Sequence, residues 1–152
     1  MSAFEWLPSN GQDAHWIGGP KVDHTDGNAM GGYAFFETSQ LPMEPDATNT
    51  VSAMMASPVL EPTGAKGHCV SFSYAMDGLS VAKLRIILQP VKDNKEVIEQ
   101  GAEAEQAVRE TMHLDFSQNQ VIATLKDGTR GLWKAAQVMY SSPVPHKVCS
   151  LP

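Results

Sequence analysis

His68-Cys69-Val70-Ser71-Phe72-Ser73-Tyr74-Ala75-Met76 is the stretch that decides the fold. Val70, Phe72, Tyr74 and Met76 fall on every second residue, with serine or alanine between them. A period of two places all four side chains on one face of a strand, as a half-buried sheet requires. Leu84, Ile86 and Leu88 repeat the pattern against Lys83 and Arg85. These seven apolar residues are the expected core.

Working outward, the chain keeps this grain. Tyr33–Glu37 (YAFFE) follows Gly31-Gly32 and predicts a strand. Val51–Ala56 predicts another, stopped by Ser57-Pro58. Val121–Leu125 and Trp133–Tyr140 predict two more, and Lys126-Asp127-Gly128 between them reads as a hairpin turn. Pro62 to Gly67 reads as a turn, and the polar, proline-bearing stretch 38–50 as a loop. The chain carries 12 Gly and 10 Pro, mostly between short apolar runs, which is the punctuation of an all-β protein. The first 31 residues are dominated by turn formers. They predict irregular chain pinned by Phe4, Trp6, Trp16 and Ile17.

One segment breaks the period. In Lys95–His113, Val97, Gly101, Ala104, Val108 and Met112 recur at spacings of three and four. Glu105 and Arg109 form an i, i+4 pair worth about 0.3 kcal/mol. Gly101 costs about 1 kcal/mol against alanine in a helix interior. The segment predicts a short helix or an irregular excursion between strands.

The 152 residues fit a single domain, 1–152, whose core needs no metal or disulfide merely to fold. Charged residues are 18% and the net charge is −6. With no cluster of Lys and Arg, a nucleic-acid groove and an anionic membrane surface are poor partners. No apolar run is long enough to cross a bilayer as a helix. The first residues, MSAFEWLPSNG, have no basic n-region and no apolar h-region, and do not read as a signal peptide.

The residues that bear chemistry are scattered. His15, His24, His68, His113 and His146 show no metal-ligand spacing and read as surface or half-buried imidazoles. Asp23-His24-Thr25-Asp26-Gly27-Asn28 offers oxygens to a hard cation, or closes an Asx turn; the spacing favours the turn. There is no phosphate loop, nucleophile elbow or HExxH helix, and no catalytic residue is predicted. Trp6, Trp16 and Trp133 read as core or end plugs. Cys69 and Cys149 lie 80 positions apart, at neither zinc nor redox spacing. That spacing allows one long-range disulfide or two buried thiols.

Taken in order, several short segments resemble one family. They are Phe4-Glu5; Trp16; Asp23-His24-Thr25; Gly31-Gly32-Tyr33; Thr38-Ser39; and Ala53-Met54-Met55-Ala56-Ser57-Pro58. After these come His68 to Met76, the strand Leu84 to Leu88, and Gly131-Leu132-Trp133-Lys134 with Val138. Over residues 4–148 the chain resembles a MAM domain, the extracellular module of meprins, neuropilins and receptor tyrosine phosphatases. The resemblance implies a jelly-roll-like sandwich of two antiparallel sheets. It further implies a non-catalytic adhesion and recognition module within a larger secreted or membrane-anchored protein, whose partner is a protein, homophilic or heterophilic.

The resemblance also implies site residues. Glu5 and Asp23 match two of the three acidic segments that hold a structural calcium or sodium ion in some members; the third has no counterpart here. Ser2 stands at the first of the family's four cysteine positions, and the second cysteine is absent. Cys69 matches the third. Cys149 has no secure match to the fourth, because the closing G-x-I-A-x-D-D-I strand is missing, and the C-terminal end is expected to be incomplete. Cys69 and Cys149 are thus the disulfide candidates. They are expected to be unbridged, since Cys149 follows Pro143 and Pro145 in a frayed tail and a bridge needs Cα atoms within about 7 Å.

Two other readings compete. One is a free-standing β-sandwich, with both cysteines reduced, that binds a glycan or small ligand. The lack of an Asn-x-Ser/Thr sequon weighs mildly against a heavily glycosylated ectodomain. The other is an enzyme, for which the sequence supplies no constellation.

Overall fold

Strand β4 (His68–Tyr74) pairs with β7 (Lys134–Tyr140) in unbroken antiparallel register, from His68 opposite Tyr140 to Tyr74 opposite Lys134. The computed structural model in which this ladder lies describes residues 6–14, 18–36, 53–77, 83–91 and 118–152. The even-numbered face of β4 packs as its period requires. Val70, Phe72 and Tyr74 lie against a buried cluster of Met76, Leu84 and Ile86, joined by Trp6, Ile122, Ala123, Leu125 and Val148. Cys69, on the other face, is exposed.

The opposing layer is a four-stranded antiparallel sheet in the order β3-β8-β5-β6, formed by Met55–Ala56, His146–Leu151, Leu84–Pro90 and Gln120–Leu125. β1 (Leu7–Asn10) and β2 (Gly32–Phe35) make a further antiparallel ribbon. Trp6, at the head of β1, ties that ribbon to the core, and its indole N–H donates to the Ala53 carbonyl at 2.9 Å. The architecture is the expected all-β sandwich, and among the described residues its strands fall into three hydrogen-bonded antiparallel sheets. The segment 95–113, expected to be a helix or an excursion, lies outside the described residues, as do the loop 38–50, Phe4, Trp16 and Ile17.

Several local readings change. β5 was expected to be half-buried, yet Ile87 and Gln89 are buried along with Leu84, Ile86 and Leu88. Burial at both even and odd positions means that β5 is covered on both faces, which suits the continuous apolar run Ile86-Ile87-Leu88. Its register with β6 shifts between Ile86 and Ile87, leaving Ile122 as an extra residue with no partner opposite.

The tail expected to fray is strand β8. It pairs with β5 from Arg85 opposite Leu151 to Pro90 opposite His146, and with β3 through Met55–Ser150 and Ala56–Cys149. The two prolines shape the turn that feeds it. The Pro145 carbonyl accepts from Val91 N–H at 2.8 Å, and the Ser142 hydroxyl donates to Val144 O at 2.8 Å. His146 is not half-buried but fully enclosed. Its Nδ1 lies 3.0 Å from Val144 O and its Nε2 3.2 Å from the Tyr140 hydroxyl, so both ring nitrogens have partners where water is excluded.

β6 and β7 do not form a hairpin. β6 pairs with β5 and β7 with β4, so residues 126–133 cross between layers. A two-residue Asp-Gly hairpin turn needs positive φ at both residues. The left-handed pair is instead Arg130 (φ 54°) and Gly131 (φ 74°), and Leu132 N–H closes that turn on Thr129 O at 3.2 Å. β1, read as irregular chain, is a strand with Pro8 opposite Ala34.

Candidate interaction site

The loop before β2 is stitched from its own side chains. Asp23 is buried. Its Oδ2 accepts from the backbone N–H of Thr25 at 2.9 Å and of Asp26 at 2.8 Å, and its Oδ1 from Asn28 N–H at 2.9 Å. Asp23 N–H returns a bond to Asn28 O at 2.9 Å. Asn28 repeats the device one turn on, its Oδ1 accepting from Met30 and Gly31 N–H at 2.9 and 2.8 Å. The Asp26 and Asn28 amides, first among the causes, lower the Asp23 carboxyl below its ordinary value. Gly27 sits at φ 66°, a left-handed conformation that costs glycine little. Gly31 must be glycine for another reason: a Cβ there would collide with the Asp23 carboxylate.

A second chain segment braces this loop. Trp133, just before β7, donates its indole N–H to Val22 O at 2.8 Å. Its ring meets Tyr33 edge-on at 5.5 Å and His24 at 6.2 Å. Tyr33 donates its hydroxyl to Pro20 O at 2.8 Å, and burial raises its pKa. The Thr129–Leu132 turn is anchored to the core end of β4: Thr129 N–H donates to Met76 O at 2.7 Å and its hydroxyl oxygen accepts from Met76 N–H at 3.0 Å.

This doubly braced end of the molecule holds apolar side chains out toward solvent. Met30 is 79% exposed, Leu132 69% and Val22 39%. Large apolar groups on a loop fixed by hydrogen bonds suit contact with another surface, because little conformational freedom is lost on binding. The sequence showed the Asx turn but not the brace, since the acceptor on Val22 is a backbone carbonyl that no residue type announces.

Of the residues singled out for a cation or a disulfide, the described ones are Asp23, Cys69 and Cys149. Glu5 lies outside the described residues. Asp23 has both oxygens engaged by amides, so a cation bound there would share or displace those bonds. Among the described residues no three His, Cys, Asp or Glu side chains gather in a metal-binding group. Cys69 is exposed on β4, and Cys149 is buried on β8 in the other layer, where burial raises its thiol pKa; both are free thiols. The Cys149 thiol points at Gln89 Oε1, 3.9 Å away. Trp6 and Trp133 are the plugs expected of them, one at the core and one at the loop end; Trp16 lies outside the described residues.

No helix among the described residues is long and apolar enough to cross a membrane. The family model described as "MAM domain, meprin/A5/mu" matches residues 2–149, nearly the whole chain. With an all-β sandwich, the His68–Met76 strand at its core and the Asp23-His24-Thr25 loop at one end, the chain belongs to the MAM domain family.

Proposed function

We infer that this chain is a non-catalytic recognition module, acting outside the cell in a larger secreted or membrane-anchored protein, and that it contacts a protein partner through the Met30–Leu132–Val22 end. MAM domains are extracellular, adhesion-type modules and are generally not catalytic, which supports the class of function. The observation that carries the placement is the exposure of Met30, on the loop stitched by Asp23, and of Leu132, on the turn next to the Trp133 that braces that loop. Exposed apolar groups on a pre-ordered loop are the make-up of a binding hot spot.

The test displays the chain on beads and measures capture of purified cell-surface ectodomains, the chain itself included. Met30→Glu with Leu132→Glu should abolish capture without moving the melting temperature, because both side chains are solvent-facing. Capture that survives both substitutions would overturn this placement. A glycan-array signal with no protein capture would replace it with the small-ligand reading.

A further inference from the structure

The strand edges differ in how they are guarded. An open edge presents unpaired N–H and C=O groups, and proteins usually blunt it with proline, a bulge, brevity or charge. β1 carries Pro8, β3 has two residues, and β6 is broken by the bulge at Ile122. β7 carries no proline or bulge and is not short. It runs seven residues, Lys134-Ala135-Ala136-Gln137-Val138-Met139-Tyr140, in regular register with β4, and among the described residues it pairs with no other strand. Its single charge, Lys134, stands at one end. Its outward row is Ala135, Gln137 and Met139, of which Met139 is 67% exposed. Facing that row on β4 are Ser73, Ser71 and Cys69, so the outer surface of the ribbon carries no charge in this row.

We propose that β7 is a self-pairing edge: two copies of this chain join β7 to β7 antiparallel across a two-fold axis, giving a continuous β4-β7-β7-β4 sheet. The sequence of β7 is complementary to its own reverse. Centred on Gln137, the pairing sets Gln137 against Gln137, small Ala135 against long Met139, Ala136 against Val138, and Lys134 against Tyr140. No like charges meet, and the contact is isologous as a two-fold requires. Among the described residues β4 likewise pairs on one side only, but its outward row is Ser71 and Ser73 beside Cys69 and bears no large apolar group. The contact is small, so the dimer is expected to be reversible and concentration-dependent. It does not depend on the Met30–Leu132 end being the partner site.

Sedimentation of the 152-residue chain over a concentration series, with reductant present so that Cys69 cannot link copies, is the test. The wild type should show a reversible monomer–dimer equilibrium. The triple variant Ala135→Lys, Gln137→Lys, Met139→Lys places like charges opposite one another and should weaken dimerisation by at least about tenfold. The matching triple glutamate variant should do the same, and an equimolar mixture of the two should dimerise again. That recovery separates loss of pairing from loss of folding. Ser71→Lys, on β4, should leave the dimer intact. A monomeric wild type, a lysine variant that still dimerises, a mixture that does not recover, or a dimer broken by Ser71→Lys would each overturn the proposal.

Discussion

The indole N–H of Trp133 donates to the backbone carbonyl of Val22 at 2.8 Å, joining two segments 111 residues apart. The bond fastens the loop before β2 to the turn before β7. Trp133→Phe keeps an aromatic ring against Tyr33 and removes only the donor. It should cost about 1 kcal/mol in a denaturant melt, the usual net worth of one hydrogen bond. Trp133→Ala should cost more and should shift the amide signals of Thr25 to Met30, because the ring that braces their loop is gone.

Phe72 packs with Val70 and Tyr74 on the Met76–Leu84–Ile86 cluster, its ring 6.1 Å from that of Tyr74. Phe72→Ala should destabilise the fold by about 3 kcal/mol, the lower end of the aromatic-to-alanine range because the side chain is half-buried. A loss below about 1 kcal/mol in equilibrium unfolding would contradict its place in the core.

The stitched loop should make stability depend on acid. The Asp26 and Asn28 amides, the leading causes, hold the folded Asp23 carboxyl below the ordinary carboxylate value. Its contribution is therefore complete above the unfolded pKa and is lost as pH falls through the folded one. Asp23→Ala should be less stable than wild type at neutral pH. The difference should begin to narrow once pH falls below about 4 and be least in stronger acid, in paired melts of the two proteins.

Both oxygens of that carboxylate already accept backbone N–H bonds. Adding a chelator, or millimolar calcium, is therefore expected to leave the melting temperature of the wild type unchanged. A rise with calcium that disappears in Asp23→Asn would instead assign a cation to Asp23, with Glu5 as the first residue to test beside it.

Cys69 is exposed and Cys149 is buried, its thiol pKa raised by burial. A thiol reagent should modify Cys69 rapidly in the native protein and reach Cys149 only on unfolding, since the thiolate is the reactive form. Denaturation without reductant should release two free thiols per chain. None, in a monomer, would mean that the two layers are bridged.

What the sequence revealed follows from which interactions repeat. The alternation in His68–Met76 was legible because every second side chain meets the same core, and the Asp23 turn because Asx chemistry is local. β1 was not legible: Leu7-Pro8-Ser9-Asn10 has no alternation, and it is a strand only because β2 lies beside it. The Asp127-Gly128 hairpin failed because the positive-φ pair lies three residues on, at Arg130-Gly131, where the chain changes layers. β8 was obscured by Pro143 and Pro145, which end the preceding strand and also aim the next one. Half of the candidate site was hidden for the same reason as Val22: its acceptors are main-chain carbonyls.

The position of β8 has a kinetic consequence. Strand order β3-β8-β5-β6 places the last of the described strands between two that precede it by dozens of residues. On a ribosome, β5 and β6 can pair early, but β3 has no neighbour in its sheet until residues 146–151 have emerged. The main sheet is completed by insertion of a late strand between waiting edges, a non-local step that slows folding. Until residues 146–151 have emerged those edges are open to other chains, so that stage of synthesis is the interval in which this fold is most exposed to mispairing.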